Sequence, residues 1–494
     1  MILVSVIGIL LIGGALAWLA ERWSARLVRW ISLVAIGIDS VLAAIVWVGK
    51  DSHATGRWLE EVDWAWVPGL GIHFHLAMDG LSLLMLALTL FLGVVAVLAS
   101  WTEIQEKVGF FHLNLMWVLA GIAGVFLAID LFLFYCAWEL MLVPMYFLIV
   151  IWGHERRVYA GAKFFLFTQF SGLLMLIAIL ALYFIHHKTT GVYTFEYSEL
   201  LTTHLNRRAE FWIMLGFFVA FAVKLPVVPL HTWLPDAHTQ APTAGSVILA
   251  GLLLKTGAYG LIRFVIPLFP DAVSDFTPFA LALAAIGIVY GAVMAYSQTD
   301  LKRLVAYTSV SHLGFVLLGI FSRNPLGLQG AVMTMISHGL STGALFVLVG
   351  SLQERLHTRD LDQMGGLWAT MPRLSGATLF FSLGSMGLPG LGDFVGEFLV
   401  LLGSYRVSIT ITVVASFGVL ASTFYALRMV QRALQGPNTH AWQVPDLNPR
   451  EALMMAVMIV GLLGLGLYPQ PVLNASAQAL DNFQLQLPIA SLRR

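Results

Sequence analysis

The stretch GSVILAGLLLKTGAYGLIRFVI, residues 245–266, is long and apolar enough to cross a membrane as one helix. Lys255 lies near its middle, where its side chain could not easily extend to either membrane surface. A charge at that depth costs between about 2.5 and about 17 kcal/mol, and such residues are usually functional. Lys224, Glu139 and Glu397 also lie in apolar stretches. Four ionisable residues at membrane depth predict a protein that moves charge.

The composition of the 494 residues places the chain in a membrane. Hydrophobic residues make up 59% of the chain and charged residues 11%, whereas soluble domains carry about 25% charged residues. A helical fold is expected, because each helix satisfies its own backbone hydrogen bonds in lipid. The formal net charge of zero argues against nucleic acid as a partner. With Cys136 as the only cysteine and no nucleotide-binding glycine motif, we expect no internal disulfide, cysteine-ligated cluster or nucleotide site.

The apolar windows predict an all-α polytopic membrane protein of about 14 transmembrane helices, folded as a single integral membrane domain over residues 1–494. The first window has no basic residue before it and is too long for the apolar part of a signal peptide, so we predict a first span. Of the 27 Lys and Arg residues, 15 fall on the side that would face inward and 10 on the other, which predicts that both termini face outward. The windows are, approximately, 2–20, 29–49, 80–100, 112–129, 131–152, 161–185, 211–229, 245–266, 276–297, 301–321, 327–352, 374–403, 408–432 and 451–469.

The seventh and twelfth windows are interrupted by prolines. They contain FAVKLPVVPLHTWLPDAH at 221–238 and SLGSMGLPGLGDFVGEFLVL at 382–401. Proline lacks the N–H group that would bond the carbonyl four residues back, so we expect free carbonyls at Ala222, Leu225 and Ser385. Free carbonyls at membrane depth are tolerated only against protein or a wet cavity. Discontinuous helices at corresponding positions of two halves are typical of transporters built from inverted repeats.

The two interrupted helices therefore divide the chain into two inverted five-helix repeats. We predict helices 1–3 in residues 1–111, followed by a first repeat of helices 4–8 in residues 112–266. A second, inverted repeat of helices 9–13 occupies residues 276–432, and the last helix with a tail occupies residues 451–494. Helices 7 and 12 are the discontinuous ones, and the functional site is expected near the membrane midplane between them.

The four charges at membrane depth have separate predicted roles. Glu139 is a candidate proton carrier, and Lys224 can switch its protonation by moving towards or away from it. Lys255 is a candidate relay that is either hydrated or neutral for part of the time. Glu397, just after the second break, is a candidate end of the path. The alternatives are a Glu139 that contacts a neighbouring subunit, a Lys255 in a structural ion pair, and a Glu397 that only stabilises the amino terminus of a half-helix.

Four histidines extend the same candidate path. His312 and His338 lie within the tenth and eleventh windows, and histidine exchanges protons near neutral pH. An ordinary buried histidine is the alternative for each of these two. His231 and His238 flank the Trp-Leu-Pro-Asp segment and are candidate lining residues for access from the inner side.

Three aspartates stand at predicted helix starts. Asp79 and Asp130 come directly before apolar windows, and Asp393 begins the second half of the interrupted twelfth window. Aspartate is a preferred N-cap residue, because its carboxylate accepts the free N–H groups of the first turn. We therefore expect none of the three to carry protons.

Four stretches of the sequence resemble the antiporter-like subunits of respiratory complex I. The resemblance extends over essentially the whole chain, and the long second stretch is highly specific. Within these subunits the chain is similar to the M type, also called chain 4 of NADH-quinone oxidoreductase. It has glutamate at 397 where the L and N types are expected to carry lysine, and its length leaves no room for the long lateral helix of the L type. The stretches are AWELMLVPMYFLI at 137–149, FAVKLPVVPLHTWLPDAHTQAPTAGSVILAGLLLKTGAYG at 221–260, DLKRLVAYTSVSHLGF at 300–315 and LPGLGDFVGEFLVL at 388–401.

The resemblance implies a proton-translocating subunit in the membrane arm of NADH:quinone oxidoreductase, a translocase, in a bacterial inner membrane with both termini periplasmic. It implies no redox centre and no cofactor in this chain, because NADH, FMN, the iron–sulfur clusters and quinone belong to partner subunits, and L- and N-type subunits are expected on either side. By the same resemblance, Glu139 and Lys224 would be the coupling pair and Lys255 the central relay. Glu397 would be the outlet, and His312 and His338 would lie on the hydrated axis.

Two other functions share features of this sequence. A subunit of a multi-subunit Na+/H+ antiporter or of a membrane-bound hydrogenase complex would carry the same motifs. A structural membrane scaffold with an inactive proton path is the third hypothesis. The costly charges at membrane depth argue against the scaffold, because an inactive path would be free to lose them.

Overall fold

The apolar windows fold into a bundle of long helices in the computed structural model, which describes residues 1–49, 58–438 and 440–485. Twelve of the helices in these residues are long and apolar enough to cross a membrane. They confirm the predicted class, a helical polytopic membrane protein. In chain order the helices are α1 Ile2–Ala20, α2 Ala25–Gly49, α3 Gly80–Glu103, α4 Val108–Leu127, α5 Leu131–Trp152, α6 Arg157–Thr190, α7 Tyr197–Leu200, α8 Arg207–Lys224, α9 Trp233–Gln240, α10 Thr243–Leu268, α11 Pro270–Ser297, α12 Leu301–Phe321, α13 Pro325–Leu356, α14 Leu367–Thr370, α15 Pro372–Ser385, α16 Gly392–Tyr405, α17 Ile409–Ala433, α18 Pro449–Leu467 and α19 Gln470–Leu485.

Both helices with internal Leu-Pro sequences are broken. In the first, α8 ends at Lys224 and the chain resumes helical structure in α9 at Trp233. In the second, α15 ends at Ser385 and α16 begins at Gly392. These pieces are not among the twelve spanning helices, because each half alone is too short or too polar. The count of about 14 spans needs each broken helix to cross the membrane as one unit, and it stays a prediction.

The carbonyls released by the prolines find new donors within the protein. The Val227 N–H donates to the Ala222 carbonyl at 2.8 Å, and the Tyr425 hydroxyl donates to the Ser385 carbonyl at 3.3 Å. The expectation of free carbonyls was therefore wrong for Ala222 and Ser385. At the first break the donor is a backbone N–H five residues further along the chain, whereas at the second break it is a side chain of α17.

Three helices form the centre of the bundle. The spanning windows of α10, α12 and α13 are completely buried inside the protein, whereas those of α1, α2 and α18 are only 28–33% buried. A helix that is apolar on every side and buried on every side lies in the core of a large bundle. Lys255, His312 and His338 lie on these three central helices. The fold thus places these three candidate residues in the interior of the bundle.

The structure contains a β-hairpin between α2 and α3, which the all-α prediction did not include. It pairs β1 Glu60–Val67 with β2 Ile72–Met78, and Gly71 turns the chain with a φ of 64°. Strands of seven and eight residues with alternating side chains do not register as apolar windows of spanning length, which is why the prediction missed them. The hairpin lies against the helix ends, because the Ile129 N–H donates to the His75 carbonyl at 3.1 Å.

Two of the three capping aspartates behave as predicted. Asp79 accepts from the first turn of α3, and Asp130 accepts from two N–H groups at the start of α5. Asp79 also forms a fully buried ion pair with Arg263 at 2.7 Å. The prediction was wrong for Asp393, which makes no capping hydrogen bond because α16 begins one residue earlier, at Gly392.

Part of the orientation argument cannot be placed on this structure. Lys50, Arg57, Arg493 and Arg494, which the sequence prediction assigned to the outer side, lie outside the described residues, as does the end of the 451–494 segment. Within that segment α18 and α19 account for residues 449–467 and 470–485. The orientation and the domain bounds both stay predictions.

Candidate functional site

Lys255 lies on α10 between two π-helical turns, Leu249–Leu253 and Leu261–Val265. Such turns are rare and occur frequently at functional sites, because they redirect backbone carbonyls. The Lys255 Nζ donates to the Ala250 carbonyl, within the first of these turns, and contacts the His338 Nδ1 at 2.6 Å. An ammonium group can only donate, so His338 accepts through Nδ1 and carries its own proton on Nε2 whenever Lys255 is charged.

A second hydrogen-bonded pair follows on α12 and α16. The His312 Nδ1 lies 2.8 Å from the Glu397 Oε1, and both side chains are about 5% exposed. The His312 ring is 5.6 Å from the His338 ring, and the His338 Nε2 has no hydrogen-bond partner among the described residues. The structure therefore brings Lys255, His338, His312 and Glu397 into one buried row that joins α10 to the second broken helix.

The Glu397 end of this row is held by further hydroxyl groups. The His312 Nε2 lies 3.0 Å from the Ser385 Oγ and 3.2 Å from the Tyr425 hydroxyl. Both imidazole nitrogens of His312 are thus hydrogen-bonded, and Ser385 is the last residue of α15. The second helix break thus supplies one hydrogen-bond partner of the His312 Nε2, and α17 supplies the other.

Asp393 belongs to the same site, although its position in the sequence indicated only a cap. It is 2% exposed, accepts from the Ser341 Oγ at 3.2 Å through Oδ1, and its Oδ2 has no partner among the described residues. Its charge interacts with those of Lys255 and His312. In the sequence, the one indication was that Asp393 stands at the start of a half-helix. Capping residues and functional carboxylates both occur at such positions, so the position alone does not separate the two roles.

Lys224 ends the first half of the first broken helix and is 1% exposed. Its Nζ lies 5.2 Å from the ring centre of Trp138 and 5.5 Å from that of Phe164, so two aromatic faces stabilise the cation. Within the described part of the chain, the ammonium group makes no hydrogen bond. Lys224 is a buried cation without a fixed polar partner.

Glu139 is the nearest predicted counterpart of that cation. It is half-buried on α5, and its polar surroundings comprise Lys224, Tyr135 and Gln169. Its Oε1 rests against Gly172 of α6, where a Cβ atom would lie only 2.8 Å away. Glu139 and Lys224 therefore interact through their charges without being joined by an ion pair of 4.0 Å or less.

His231 and His238 lie beside the same break, on either side of the start of α9. The His238 ring stacks on Phe346 at 4.6 Å and the His231 ring packs edge-on against Tyr290 at 5.1 Å. Neither ring nitrogen of either histidine has a hydrogen-bond partner among the described residues. Buried polar atoms of this kind are uncommon, so four together mark the space around α9 as a polar region.

The end of this region nearest the α12 amino terminus contains a buried cation that the sequence analysis did not single out. Lys302 is completely buried, and its charge and that of Arg359 act on His154. Burial, and then those two charges, lower the pKa of His154 to about 3, so this imidazole is neutral at physiological pH. A cavity of about 510 Å³ lined by His154, Gln353 and Arg359 opens here. A polar cavity thus lies at this end of the bundle.

The chain is similar to known proteins over most of its length. The family described as "NADH:quinone oxidoreductase/Mrp antiporter, TM" matches residues 128–424, which contain every candidate residue from Glu139 to Glu397. NADH-quinone oxidoreductase subunit M of Pseudomonas aeruginosa is 55% identical, and the match covers 99% of each chain. The protein of the same name from Escherichia coli strain K12 is 54% identical over 96% of each chain.

Solved structures agree with the sequence comparisons. A chain of respiratory complex I from Thermus thermophilus with bound NADH has a TM-score of 0.88 and 31% identity, and the match covers 99% of this chain and 100% of that one. A chain of the Mrp complex from Dietzia has a TM-score of 0.86 at 21% identity, covering 100% of this chain and 98% of that one, which shows a shared fold alone. The antiporter alternative is not favoured by these identities. The chain therefore belongs to the NADH:quinone oxidoreductase/Mrp antiporter transmembrane family and, within it, to the family of NADH-quinone oxidoreductase subunit M.

Proposed function

We propose that protons cross the membrane through this chain along its row of buried ionisable residues. As a member of the subunit M family, the chain is a proton-translocating membrane-arm subunit of NADH:quinone oxidoreductase, complex I. The observation that carries the proposed route is the pair of short contacts in the core, Lys255 to His338 at 2.6 Å and His312 to Glu397 at 2.8 Å. In sequence of use, the proposed residues are Glu139, Lys224, Lys255, His338, His312 and Glu397, with His231 and His238 lining access.

The coupling step uses Lys224 as a movable charge. When its ammonium group approaches Glu139, the ionised carboxyl is favoured, and when it withdraws towards α9, proton uptake is favoured. Two unit charges 4 Å apart interact by about 4 kcal/mol at an effective dielectric constant of 20. Moving one charge against 100 mV takes about 2.3 kcal/mol. Displacement of Lys224 is therefore sufficient in magnitude to drive one proton per cycle.

The relay step passes a proton between bonded nitrogen atoms. The Lys255 Nζ gives a proton to the His338 Nδ1, and the resulting imidazolium releases its other proton from Nε2 towards His312. The 5.6 Å between the two rings requires a ring rotation or a bridging water for this transfer. His312 then delivers the proton to Glu397, to which it is already hydrogen-bonded.

An inverted repeat is part of the proposal, and two matching junctions support it. Asp130 and Asp300 each cap a helix by accepting two N–H groups, at 2.8 and 2.9 Å for the first and 2.9 and 3.0 Å for the second. Each also pairs through an antiparallel bridge with the segment after the next long helix, at Glu196 and Asp360. The capped helices are the fifth and tenth predicted spans, so they would start on opposite sides of the membrane, as the repeats 112–266 and 276–432 require.

The finer assignments of partners and place follow from the same proposal. The redox reactions take place on partner subunits that hold NADH, FMN, iron–sulfur clusters and quinone, and this chain contributes translocation. L- and N-type subunits lie on either side, in a bacterial inner membrane with both termini periplasmic. The largely unburied faces of α1, α2 and α18 support contacts with neighbouring subunits or lipid.

Proton pumping by the assembled complex tests the coupling pair. Vesicles that contain Glu139→Gln or Lys224→Ala should pump at least about tenfold more slowly, because general acid–base groups contribute about 10²–10⁴-fold to proton transfer. The matched controls are the exposed residues Glu106→Gln and Lys188→Ala, which should pump normally. Protons pumped per NADH oxidised are measured together with electron transfer to quinone. Normal values of both in the two coupling variants would reject the mechanism.

A further inference from the structure

A second group of ionisable side chains lies outside the proton row, where the β-hairpin meets the helix ends. Asp63 lies on β1, His73 lies on β2, and Glu196 is the residue before α7. One potential metal-ligand atom of each lies within 4.8 Å of the others. The hairpin and the residue before α7, which are remote in sequence, thus converge on one point through an imidazole and two carboxylates.

The contacts within this group leave ligand capacity free. The His73 Nδ1 lies 2.7 Å from the Asp63 Oδ1, and these two side chains are 33% and 46% exposed. Glu196 lies beneath them, only 8% exposed, and its Oε1 has no hydrogen-bond partner among the described residues. A buried carboxylate oxygen without a donor costs free energy unless a cation occupies its surroundings.

Neighbouring groups hold the Glu196 side chain and the backbone of His73 in place. The His75 Nδ1 lies 2.6 Å from the Glu196 Oε2, and its Nε2 lies 3.0 Å from the Glu61 Oε1. The His73 backbone N–H donates to the Asp130 Oδ2 at 3.1 Å. Hydrogen bonds of this kind hold the first ligands of metal sites in place, and they leave the second oxygen of Glu196 free to bind.

We propose that Asp63, His73 and Glu196 bind a divalent transition-metal ion of the zinc class. One imidazole nitrogen and two carboxylate oxygens form a ligand set that zinc accepts, with bonds of about 2.0–2.2 Å and water at the remaining position. With tetrahedral bonds of that length, neighbouring ligand atoms lie about 3.3 Å apart. The three ligand atoms here lie within 4.8 Å of one another, so small side-chain rotations would bring them to that separation. The ion joins the hairpin to the segment before α7.

Zinc binding by the assembled complex tests this site. The purified complex is stripped with a chelator, equilibrated with ZnCl2 and analysed for zinc per complex, so that sites on other subunits cancel between variants. Wild type should hold one zinc ion more than His73→Gln and one more than Asp63→Asn. His204→Gln, an exposed histidine outside the cluster, should equal wild type. X-ray absorption at the zinc edge should lose one imidazole ligand in His73→Gln.

His75 provides an independent test, because it positions Glu196 without binding the ion. His75→Gln should keep the zinc stoichiometry and weaken the affinity by about 10–100-fold. Equal zinc content and equal affinity in wild type, His73→Gln and Asp63→Asn would overturn the site and leave a network of ion pairs. An unchanged affinity in His75→Gln would overturn its positioning role. Subunit content of each purified complex shows that assembly is intact.

Discussion

The two broken helices carry charge in different ways. At the first, Lys224 lies between the faces of Trp138 and Phe164 with no hydrogen bond. At the second, Glu397 is bonded to His312, and His312 is bonded in turn to Ser385 and Tyr425. Both halves thus contain a helix interrupted by proline. The interruption accompanies a loosely held cation in one half and a firmly held carboxylate in the other.

The difference separates two tasks. A cation held by aromatic faces and without a hydrogen bond has a broad energy minimum and moves at small cost, because cation–π attraction varies gradually with position. A carboxylate in a set of directional hydrogen bonds keeps its place and exchanges protons along those bonds. We infer that the first break converts a conformational signal into charge movement, and that the second break receives and passes protons.

The largest effect is expected where the two halves meet. Lys255→Met removes the cation bonded to His338 and disconnects the first half from the second. Pumping should fall by about 100-fold or more, the usual contribution of a group that transfers a proton. The measurement is proton uptake by vesicles driven by NADH, with Lys188→Met at the exposed end of α6 as the control. Pumping within twofold of wild type would show that the halves communicate by another route.

A smaller effect is expected within the firmly held half. His312→Gln keeps one hydrogen bond to Glu397 but cannot take up a proton, so pumping should fall about tenfold. Tyr425→Phe removes a donor to the Ser385 carbonyl and a neighbour of His312, and about twofold loss is expected. An equal loss in both variants would mean that the hydrogen-bond set, rather than the imidazole proton, matters. His204→Gln is the control.

The loosely held half can be weakened without touching an ionisable group. Trp138→Leu removes one aromatic face from Lys224, a change of about 1 kcal/mol or about fivefold in an equilibrium. Pumping should fall by about that factor while electron transfer persists. Trp212→Leu on the exposed face of α8 is the matched control. A loss no greater than in the control would show that Trp138 does not hold the cation.

The smallest effect on pumping is expected at a buried pair outside the row. Arg263 and Asp79 are bonded at 2.7 Å, and Ser82 and Tyr259 also bond the guanidinium group. Arg263→Met should destabilise the subunit by about 3–5 kcal/mol, because it leaves Asp79 uncompensated. Thermal denaturation of the purified complex measures this loss. The assembled fraction should pump normally per complex, and a pumping defect there would extend the proton row to this pair.

Much of this arrangement is predictable from the sequence, because membrane depth makes charge and proline conspicuous. Lys224, Lys255, Glu139 and Glu397 stand out as costly exceptions in apolar stretches, and the Leu-Pro pairs locate both breaks. Which groups bond to which is not predictable, because contacts such as Lys255 with His338 join residues 83 positions apart.

The residues that sequence analysis missed share one property, an ordinary local position. Asp393 stands where a cap would stand, and Lys302 stands in the first turn of α12, at the edge of an apolar window. Tertiary packing makes these two positions interior, since Lys302 bonds the Ala241 carbonyl and Asp393 bonds Ser341 of α13. The hairpin at Glu60–Val67 and Ile72–Met78 was missed because strands of that length lie below the scale of a membrane span.

The central claim is that Glu139 and Lys224 act as one switch. A double-mutant cycle on these two residues tests this claim most directly. The conservative variants Glu139→Asp and Lys224→Arg keep the charges and a measurable pumping rate, and the double variant is compared with both in the same vesicles. Interacting residues show coupling energies of about 0.5–3 kcal/mol. We predict that the double variant departs from the product of the single losses by at least about threefold. Fold losses that simply multiply would show two independent sites and contradict the switch.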